Sequence, residues 1–331
     1  MPQISAPSPR VSIVMPMFNS EKFIRICIDS ILNQTFKDFE LIVVNDCSTD
    51  RSAEIVESYQ DPRIKIYRNV RNLGTGMARN FGITIAAGKY IYFIDHDDAI
   101  LPQTLETFLD AAEESQAEVV YMNSRLNAVD PDFDLANGIQ ARRMFSTNPT
   151  PRFMSENLLK RLQREHIEIG VLWEPWIKFF RRDFLIENQI YFPTVFGCED
   201  WLMNLAALCL AKKIRVIDFA GYIFRPNPNS VTHSSAEKSF RKLLESSSTI
   251  ISYMEEIFSK TDLSRENQVI LESHMIYSLI QMQIRYKPLA IDSMDKILRE
   301  ESPIDPEILR VLIHVISILI SRNYKFELIT K

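Results

Sequence analysis

Short β-rich runs alternate with helical patterns from Val11 to Asn123, and that alternation limits the chain to few folds. The runs Val11–Met15, Phe39–Val44, Ile64–Tyr67, Tyr90–Ile94 and Glu118–Tyr121 are rich in β-branched, aromatic and other apolar residues, as buried strands are. Between them, Glu21–Asn33, Ser52–Tyr59, Met77–Ala87 and Thr104–Glu114 carry apolar residues at spacings of three and four, the period of a helix with one buried face. Strands and helices alternating through short connections build βαβ units, which predicts an α/β fold with a mostly parallel sheet flanked by helices. In such a sheet, ligands bind beyond the carboxyl ends of the strands.

From about Ala128 to Thr150 the pattern fails and Asp, Asn and Pro accumulate, which reads as a loop-rich excursion. A second compact region follows, from Arg152 to about His233, and it holds all three tryptophans. Beyond Ser235 there is no glycine, and helical periodicity in Phe240–Phe258, Arg265–Tyr286 and Pro306–Ser321 predicts an all-helical extension. The expected divisions are therefore 1–10, 11–127, 128–234 and 235–331. The first of these, MPQISAPSPR, lacks the apolar core of a secretory signal and reads as a disordered lead-in. Ten of the thirteen residues in Ile308–Ile320 are apolar, yet as a helix they span about 20 Å against the roughly 30 Å of a bilayer core. Arg310, His314, Ser317 and Ser321 draw one polar stripe along it. Such a helix packs within the fold, pairs with a second copy, or lies on a membrane surface.

Composition removes several function classes. With 38 Lys and Arg against 43 Asp and Glu, the net charge is −5, which argues against sequence-independent nucleic-acid binding. Cys27, Cys47, Cys198 and Cys209 show no metal-ligand spacing and are too few for a disulfide framework, so reduced thiols in the cytoplasm are expected. Glycine is scarce. Of eight in the chain, Gly74, Gly76, Gly82 and Gly88 fall within fifteen residues, where average usage of about 7% would give roughly 23 overall.

The strand Tyr90–Ile94 runs directly into Asp95-His96-Asp97-Asp98. Three carboxylates in four residues repel one another unless a cation neutralises them, and Mg²⁺ or Mn²⁺ bridging to phosphate is one resolution. The other is an acidic cap on the helix that follows Leu101-Pro102. The first strand ends at Pro16-Met17-Phe18-Asn19, and the second at Asn45-Asp46-Cys47-Ser48-Thr49-Asp50. Asp46 is placed either to accept from a nucleoside or to serve a turn. The glycine cluster opens a helix, which suits a phosphate-bearing ligand. It is neither a Walker A loop nor a dinucleotide fingerprint.

Taken in order, Pro-x-Phe-Asn, Asn-Asp-x-Ser-Thr-Asp, Asn-x-Gly-x-x-x-Ala-Arg-Asn-x-Gly and Asp-x-Asp-Asp resemble the family 2 glycosyltransferases of the GT-A fold. The resemblance is closest over residues 10–125 and looser to about 235. It implies a Rossmann-like domain with a nucleotide-sugar donor half (11–127) and an acceptor half (128–234). It also implies a nucleotide-sugar donor, most often a uridine diphosphate sugar, and Mn²⁺ or Mg²⁺. The donor side would comprise Pro16, Phe18, Asn19, Asp46, Gly74, Arg79, Asp95, His96 and Asp97, with Asp46 on the base or ribose and Arg79 near the ribose or diphosphate. Asp97 and Asp95 would hold the metal, joined by His233 on a closing loop. Many relatives carry two adjacent Asp and then Gly where this chain has Asn45-Asp46-Cys47.

The same resemblance assigns the general base to Asp200, with Glu199 beside it, in Gly197-Cys198-Glu199-Asp200-Trp201. Acidic residues in a first helical turn also simply complement the helix dipole. Trp173, Trp176, Lys178 and Trp201 would line the acceptor groove, although aromatic residues serve core packing equally well. No Gln-x-x-Arg-Trp follows the Glu-Asp pair, which argues against a processive polymerase. The expectation is a cytoplasmic, metal-dependent inverting transferase acting on a glycan or lipid-linked saccharide, with peripheral membrane contact or homodimerisation through the C-terminal helices. A glycosyltransferase-like binding subunit without turnover and a nucleotidyltransferase are the alternatives.

Overall fold

The computed structural model describes residues 8–130, 132–133, 140–145, 153–154, 174–195, 199–227 and 246–261. Two compact units divide the chain, one formed by residues 1–194 with 199–230, the other by 195–198 with 231–331.

In the first unit every early run becomes a strand: β1 (Val11–Met17), β2 (Phe39–Asn45), β3 (Ile64–Arg68), β4 (Tyr90–Phe93) and, after the two-residue β5 (Ala99–Ile100), β6 (Val119–Met122). The helices between them are α1 (Ile24–Leu32), α2 (Ser52–Glu57), α3 (Thr75–Ile85) and α4 (Thr104–Ser115). The chain continues through β7 (Ser124–Ala128), β8 (Ala141–Phe145), β9 (Phe153–Met154), a 3-10 turn at Pro175–Ile177, β10 (Lys178–Arg181) and α5 (Arg182–Glu187). It ends with α6 (Glu199–Leu210), β11 (Ile214–Ile217) and β12 (Tyr222–Phe224).

The large sheet has the order β3-β2-β1-β4-β10-β6-β11-β9. β1 pairs in parallel with both β2 and β4, while the chain winds outward through β2 to β3 before returning to β4. The order therefore reverses between β1 and β4, and a crevice opens beyond their carboxyl ends. β10 enters antiparallel between β4 and β6, so residues 178–181 complete a sheet begun by the first hundred residues. A second sheet, β5-β12-β7-β8, flanks it. Its β7–β8 pair is antiparallel, so the expected loop excursion from Ala128 contains a strand. Arg142 and Arg143 deny β8 an apolar alternation that periodicity could detect.

The helices bury the stripes their spacing predicts. In α1 these are Ile24, Cys27, Ile28 and Ile31. In α4, Phe108 stacks on Phe179 of β10 at 5.3 Å and lies 5.4 Å from Tyr92 of β4. In α6, every residue from Trp201 to Cys209 is buried. Glu199 and Asp200 at its N-terminus are its only acidic residues, and they lie where the helix dipole favours negative charge.

Close packing surrounds three of the four clustered glycines, Gly76, Gly82 and Gly88. Only Gly74 needs a left-handed backbone, with φ +88°. A Cβ on Gly82 would lie 2.3 Å from Val14 Cγ1, and one on Gly88 would lie 2.5 Å from the Ser12 backbone nitrogen. α3 thus rides directly on β1. Gly82→Ala forces the β-branched Val14 or the helix to move, and overpacking of this kind costs about 1–3 kcal/mol. Urea unfolding should report a lower midpoint with an unchanged m-value; an unchanged midpoint would contradict the close approach.

In the second unit, α7 (Ser247–Ser259) overlaps the expected helix Phe240–Phe258 and runs one residue past its end. Ile250, Tyr253, Met254, Ile257 and Phe258 form its buried stripe. The expected helices Arg265–Tyr286 and Pro306–Ser321, with the dimer and membrane contacts assigned to them, lie outside the described residues. Among the described residues no helix is long and apolar enough to cross a membrane.

Candidate active site

The loops leaving β1 and β2 are tied together by the motif residues themselves. Asn19, at φ +48°, accepts from the Thr49 amide at 2.8 Å and donates its own amide to Ser48 Oγ at 3.1 Å. Asn45 Oδ1 accepts from the Ser48 amide at 2.8 Å. Cys47 adopts φ +66° and donates its thiol to the Asn69 carbonyl at 3.1 Å. Pro16 lies buried within β1, and Phe18 just beyond that strand is 44% exposed.

Asp46 is 3% exposed. Its carboxylate accepts from Asn69 Nδ2 at 2.7 Å, the Leu73 amide at 2.9 Å and the Gly74 amide at 2.8 Å. It thereby holds the loop that delivers Gly74 to the start of α3. The direct partner of Asp46 is the polypeptide, so its carboxylate shapes the rim through that loop.

The three carboxylates after β4 have three different fates. Asp98 is buried, accepting from the Tyr222 hydroxyl at 2.5 Å and the Arg225 amide at 2.7 Å. Burial pushes its carboxyl well up, and the charges of Asp97 and Asp95 add to the rise. Asp98 anchors the strand-end loop to β12. Asp95 and Asp97 are half-buried. Asp97 Oδ2 accepts from Asn227 Nδ2 at 2.8 Å; Asp95 Oδ1 receives Arg79 Nη2 at 2.6 Å. His96 sits between them, its Nδ1 buried without a hydrogen bond.

Arg79, on α3, is 2% exposed. Its second terminal nitrogen ion-pairs with Asp200 at the start of α6. One guanidinium thus joins a carboxylate after β4 to a carboxylate 121 residues further along than itself. Its flat face lies over the Phe192 ring, 5.2 Å from the centroid. The Asp200 side chain keeps 35% exposure, and its carboxyl is pushed up to about 7. Burial is the leading cause; Arg79 opposes it, and the charges of Glu199, Asp95 and Glu174 add to it. A carboxyl poised there can exchange a proton at neutral pH. Glu199 packs its chain against α3: a Cβ on Gly76 would lie 3.2 Å from Glu199 Cγ and 3.2 Å from Phe192 Cβ.

The acceptor-side expectations fare differently. Trp176 is 4% exposed and stacks on Tyr222 at 3.8 Å. Trp201 is 2% exposed within the all-buried α6. Lys178 is 1% exposed on β10, donating to the Glu174 carbonyl at 3.2 Å with its ammonium 4.7 Å from the centre of the Tyr121 ring. All three side chains are buried, Lys178 on the inserted β10, Trp176 on the turn leading into it and Trp201 on α6. Trp173 and His233 lie outside the described residues.

Several residues at the site went unassigned by motif reasoning. Glu174 pairs with Arg125 at 2.6 Å, and the Arg125 guanidinium lies against both Trp176 and Phe224, 5.4 and 5.2 Å from the ring centres. Asn80 and Phe192 exchange two hydrogen bonds, each 2.8 Å. Asn80 could have been suspected, since it completes the Ala-Arg-Asn run; Phe192 and Glu174 carry no comparable signal.

Asp95 and Asp97 suit a hard divalent cation. Each has a carboxylate oxygen with no hydrogen-bond donor among the described residues, and Mg²⁺ or Mn²⁺ commonly takes one or two carboxylates and fills its remaining positions with phosphate and water. Among the described residues no three His, Cys, Asp or Glu side chains group to hold a metal by themselves. The phosphates of a bound ligand would complete the set.

The sequence model described as Glycosyl transferase family 2 matches residues 12–194. The uncharacterized glycosyltransferase EpsJ of Bacillus subtilis (strain 168) is 36% identical over 227 residues, 68% of this chain and 63% of the relative. The poly(ribitol-phosphate) beta-glucosyltransferase of Bacillus spizizenii is 32% identical over 213 residues, 62% of this chain and 31% of the relative. The chain therefore spans less than two thirds of the length of these two curated relatives. Among solved structures, the crystal structure of S. aureus TarS in complex with UDP superposes with a TM-score of 0.61 at 25% identity, over 81% of this chain and 70% of that one.

Proposed function

The chain belongs to the family 2 glycosyltransferases, and we propose that it moves a sugar from a nucleoside-diphosphate donor to a hydroxyl of a glycan or lipid-linked saccharide, with inversion. The observation that carries this reading is the contact chain Asp95–Arg79–Asp200 at the sheet's reversal point. It joins the strand-end carboxylate of Asp95 to a partly exposed carboxyl that burial pushes up to about 7. Asp200 takes the acceptor hydroxyl proton, and the freed oxygen pair forms the bond to the anomeric carbon. The bond from that carbon to the diphosphate breaks on the opposite face, its electrons leaving with the nucleoside diphosphate. An α-linked donor gives a β-linked product, and Asp200 returns its proton to water. A base with a pKa near the working pH combines adequate ionisation with adequate basicity.

A divalent ion bound by Asp97 and Asp95 would supply charge neutralisation for the departing diphosphate. Asn227 orients Asp97, and Tyr222 and Arg225 hold the loop through Asp98. Asp46 fixes the loop before Gly74, which with Pro16, Phe18 and Asn19 would frame the nucleoside. A uridine nucleotide is favoured by the UDP complex of TarS. A surface-polymer acceptor is favoured by the relative named as a poly(ribitol-phosphate) beta-glucosyltransferase.

Calorimetric titration with UDP tests the donor half of this reading. Binding should be measurable with Mn²⁺ present and weaken at least about tenfold in EDTA, as expected when a cation bridges carboxylates and phosphate. UDP binding of equal strength in EDTA would remove the metal from the account.

A further inference from the structure

We infer that Arg79 is the positioning residue of the base Asp200, held for that task by an Asn80–Phe192 clamp, instead of a ligand of the donor phosphates. The inference rests on the transferase reading above, and it revises the donor-side role that the family resemblance implies for this arginine.

The guanidinium spends its two terminal nitrogens on two different protein carboxylates, Asp200 and Asp95. Each terminal nitrogen keeps a second N–H, but both are already anchored on separate protein carboxylates. The parallel two-pronged grip by which arginine holds a phosphate would have to compete with those ion pairs for the orientation of the fork. Its Nε is buried and makes no hydrogen bond, so the fork is aimed wholly by its two ends. At 2% exposure the charge cannot leave this place without losing compensation that burial makes costly to lose.

The support under Arg79 is equally specific. Asn80 Nδ2 donates to the Phe192 carbonyl at 2.8 Å, and the Phe192 amide donates to Asn80 Oδ1 at 2.8 Å. This reciprocal pair bolts α3 to the segment preceding α6. The ring so fixed packs edge-on against Phe93 of β4 at 5.2 Å and carries the Arg79 guanidinium on its face. Gly76, one turn earlier, leaves room for the Glu199 chain and for Phe192. α3, β4 and α6 therefore converge on one cation, and the residue it orients most consequentially is Asp200. The other charged groups around that carboxyl are Glu199 on α6, Asp95 after β4 and Glu174 before the 3-10 turn.

The test compares Arg79→Gln, Arg79→Lys and Phe192→Leu with the wild type. Four quantities are needed: thermal midpoint, UDP affinity with Mn²⁺ by calorimetry, kcat at saturating donor, and the pH profile of kcat. A positioning role predicts that Arg79→Gln holds the UDP Kd within about threefold while kcat falls about a hundredfold. The acid limb of the profile should move up by about one pH unit or more, because removing a nearby cation raises a carboxyl pKa. Arg79→Lys should return the limb toward the wild-type position. Phe192→Leu, which leaves both ion-pair partners in place, should lower kcat with the UDP Kd unchanged. A donor-ligand role gives the reverse: a UDP Kd weakened about tenfold or more with kcat and the acid limb unmoved, and that result overturns the inference. A wild type without turnover would sink the transferase reading by itself. Carboxyl ¹³C titration of Asp200 in wild type and Arg79→Gln then still decides: an upward shift in the variant supports the pairing, and no shift refutes it.

Discussion

Asp200→Asn should lower kcat by about a thousandfold and leave UDP binding within about threefold of wild type, the pattern for loss of a group that acts only as the reaction proceeds. Asparagine keeps the shape and one hydrogen-bond acceptor toward Arg79, but it cannot receive the acceptor proton. The pH dependence follows in sign. The carboxyl is pushed up to about 7, chiefly by burial, and only its ionised form is a base. Wild-type kcat should therefore fall with decreasing pH through the region of 7 and level off above it. The residual rate of the variant should lack that limb. A variant with full turnover, or a wild-type profile flat between about pH 5.5 and 8, would remove Asp200 from the role of base.

The second large effect is expected at Asp97. Asp97→Ala should cost about three orders of magnitude in kcat/KM, because a bound cation supplies several kcal/mol of charge stabilisation. The loss should appear together with loss of the Mn²⁺-dependent increment in UDP affinity. Folding stability should change little, since the carboxylate is half-buried and its one partner among the described residues is Asn227. Asp98 is the internal control. Its carboxylate is buried under Tyr222 and Arg225, so Asp98→Ala removes a satisfied acceptor and should lower the thermal midpoint, a cost of about 1–3 kcal/mol. If Asp97→Ala were the unstable variant and Asp98→Ala the inactive but stable one, the two assignments would have to be exchanged.

That division between neighbouring aspartates was not legible in the sequence, which offers only three carboxylates after a strand. What separates them is contact with β12, whose Tyr222 lies 124 residues from Asp98. The parallel part of the fold was legible, because β1 to β4 and α1 to α4 each carry a full period of their own geometry. β10 was not, since four residues after a proline-led turn read as an aromatic and basic segment; its insertion antiparallel between β4 and β6 is decided by pairing. Trp176 and Lys178, buried just before and within that strand, have chemistry that suits a sugar groove and a core alike, so residue type alone does not choose between them. The glycines show the same limit. Clustering marked the right helix, yet Gly82 and Gly88 answer to Val14 and Ser12 across a close approach that no spacing encodes. Arg79 and Asp200 were both identifiable by type and motif. Their pairing across 121 residues is a fact of topology alone.

The most direct test of the central claim is nucleoside diphosphate release from a panel of nucleotide sugars with Mn²⁺, comparing wild type with Asp200→Asn. The wild type should release UDP from a UDP-sugar, with release rising when a polyhydroxyl acceptor is added, while the variant binds the same donor and stays at background. Equal release by both proteins, or pyrophosphate as the product, would contradict the account.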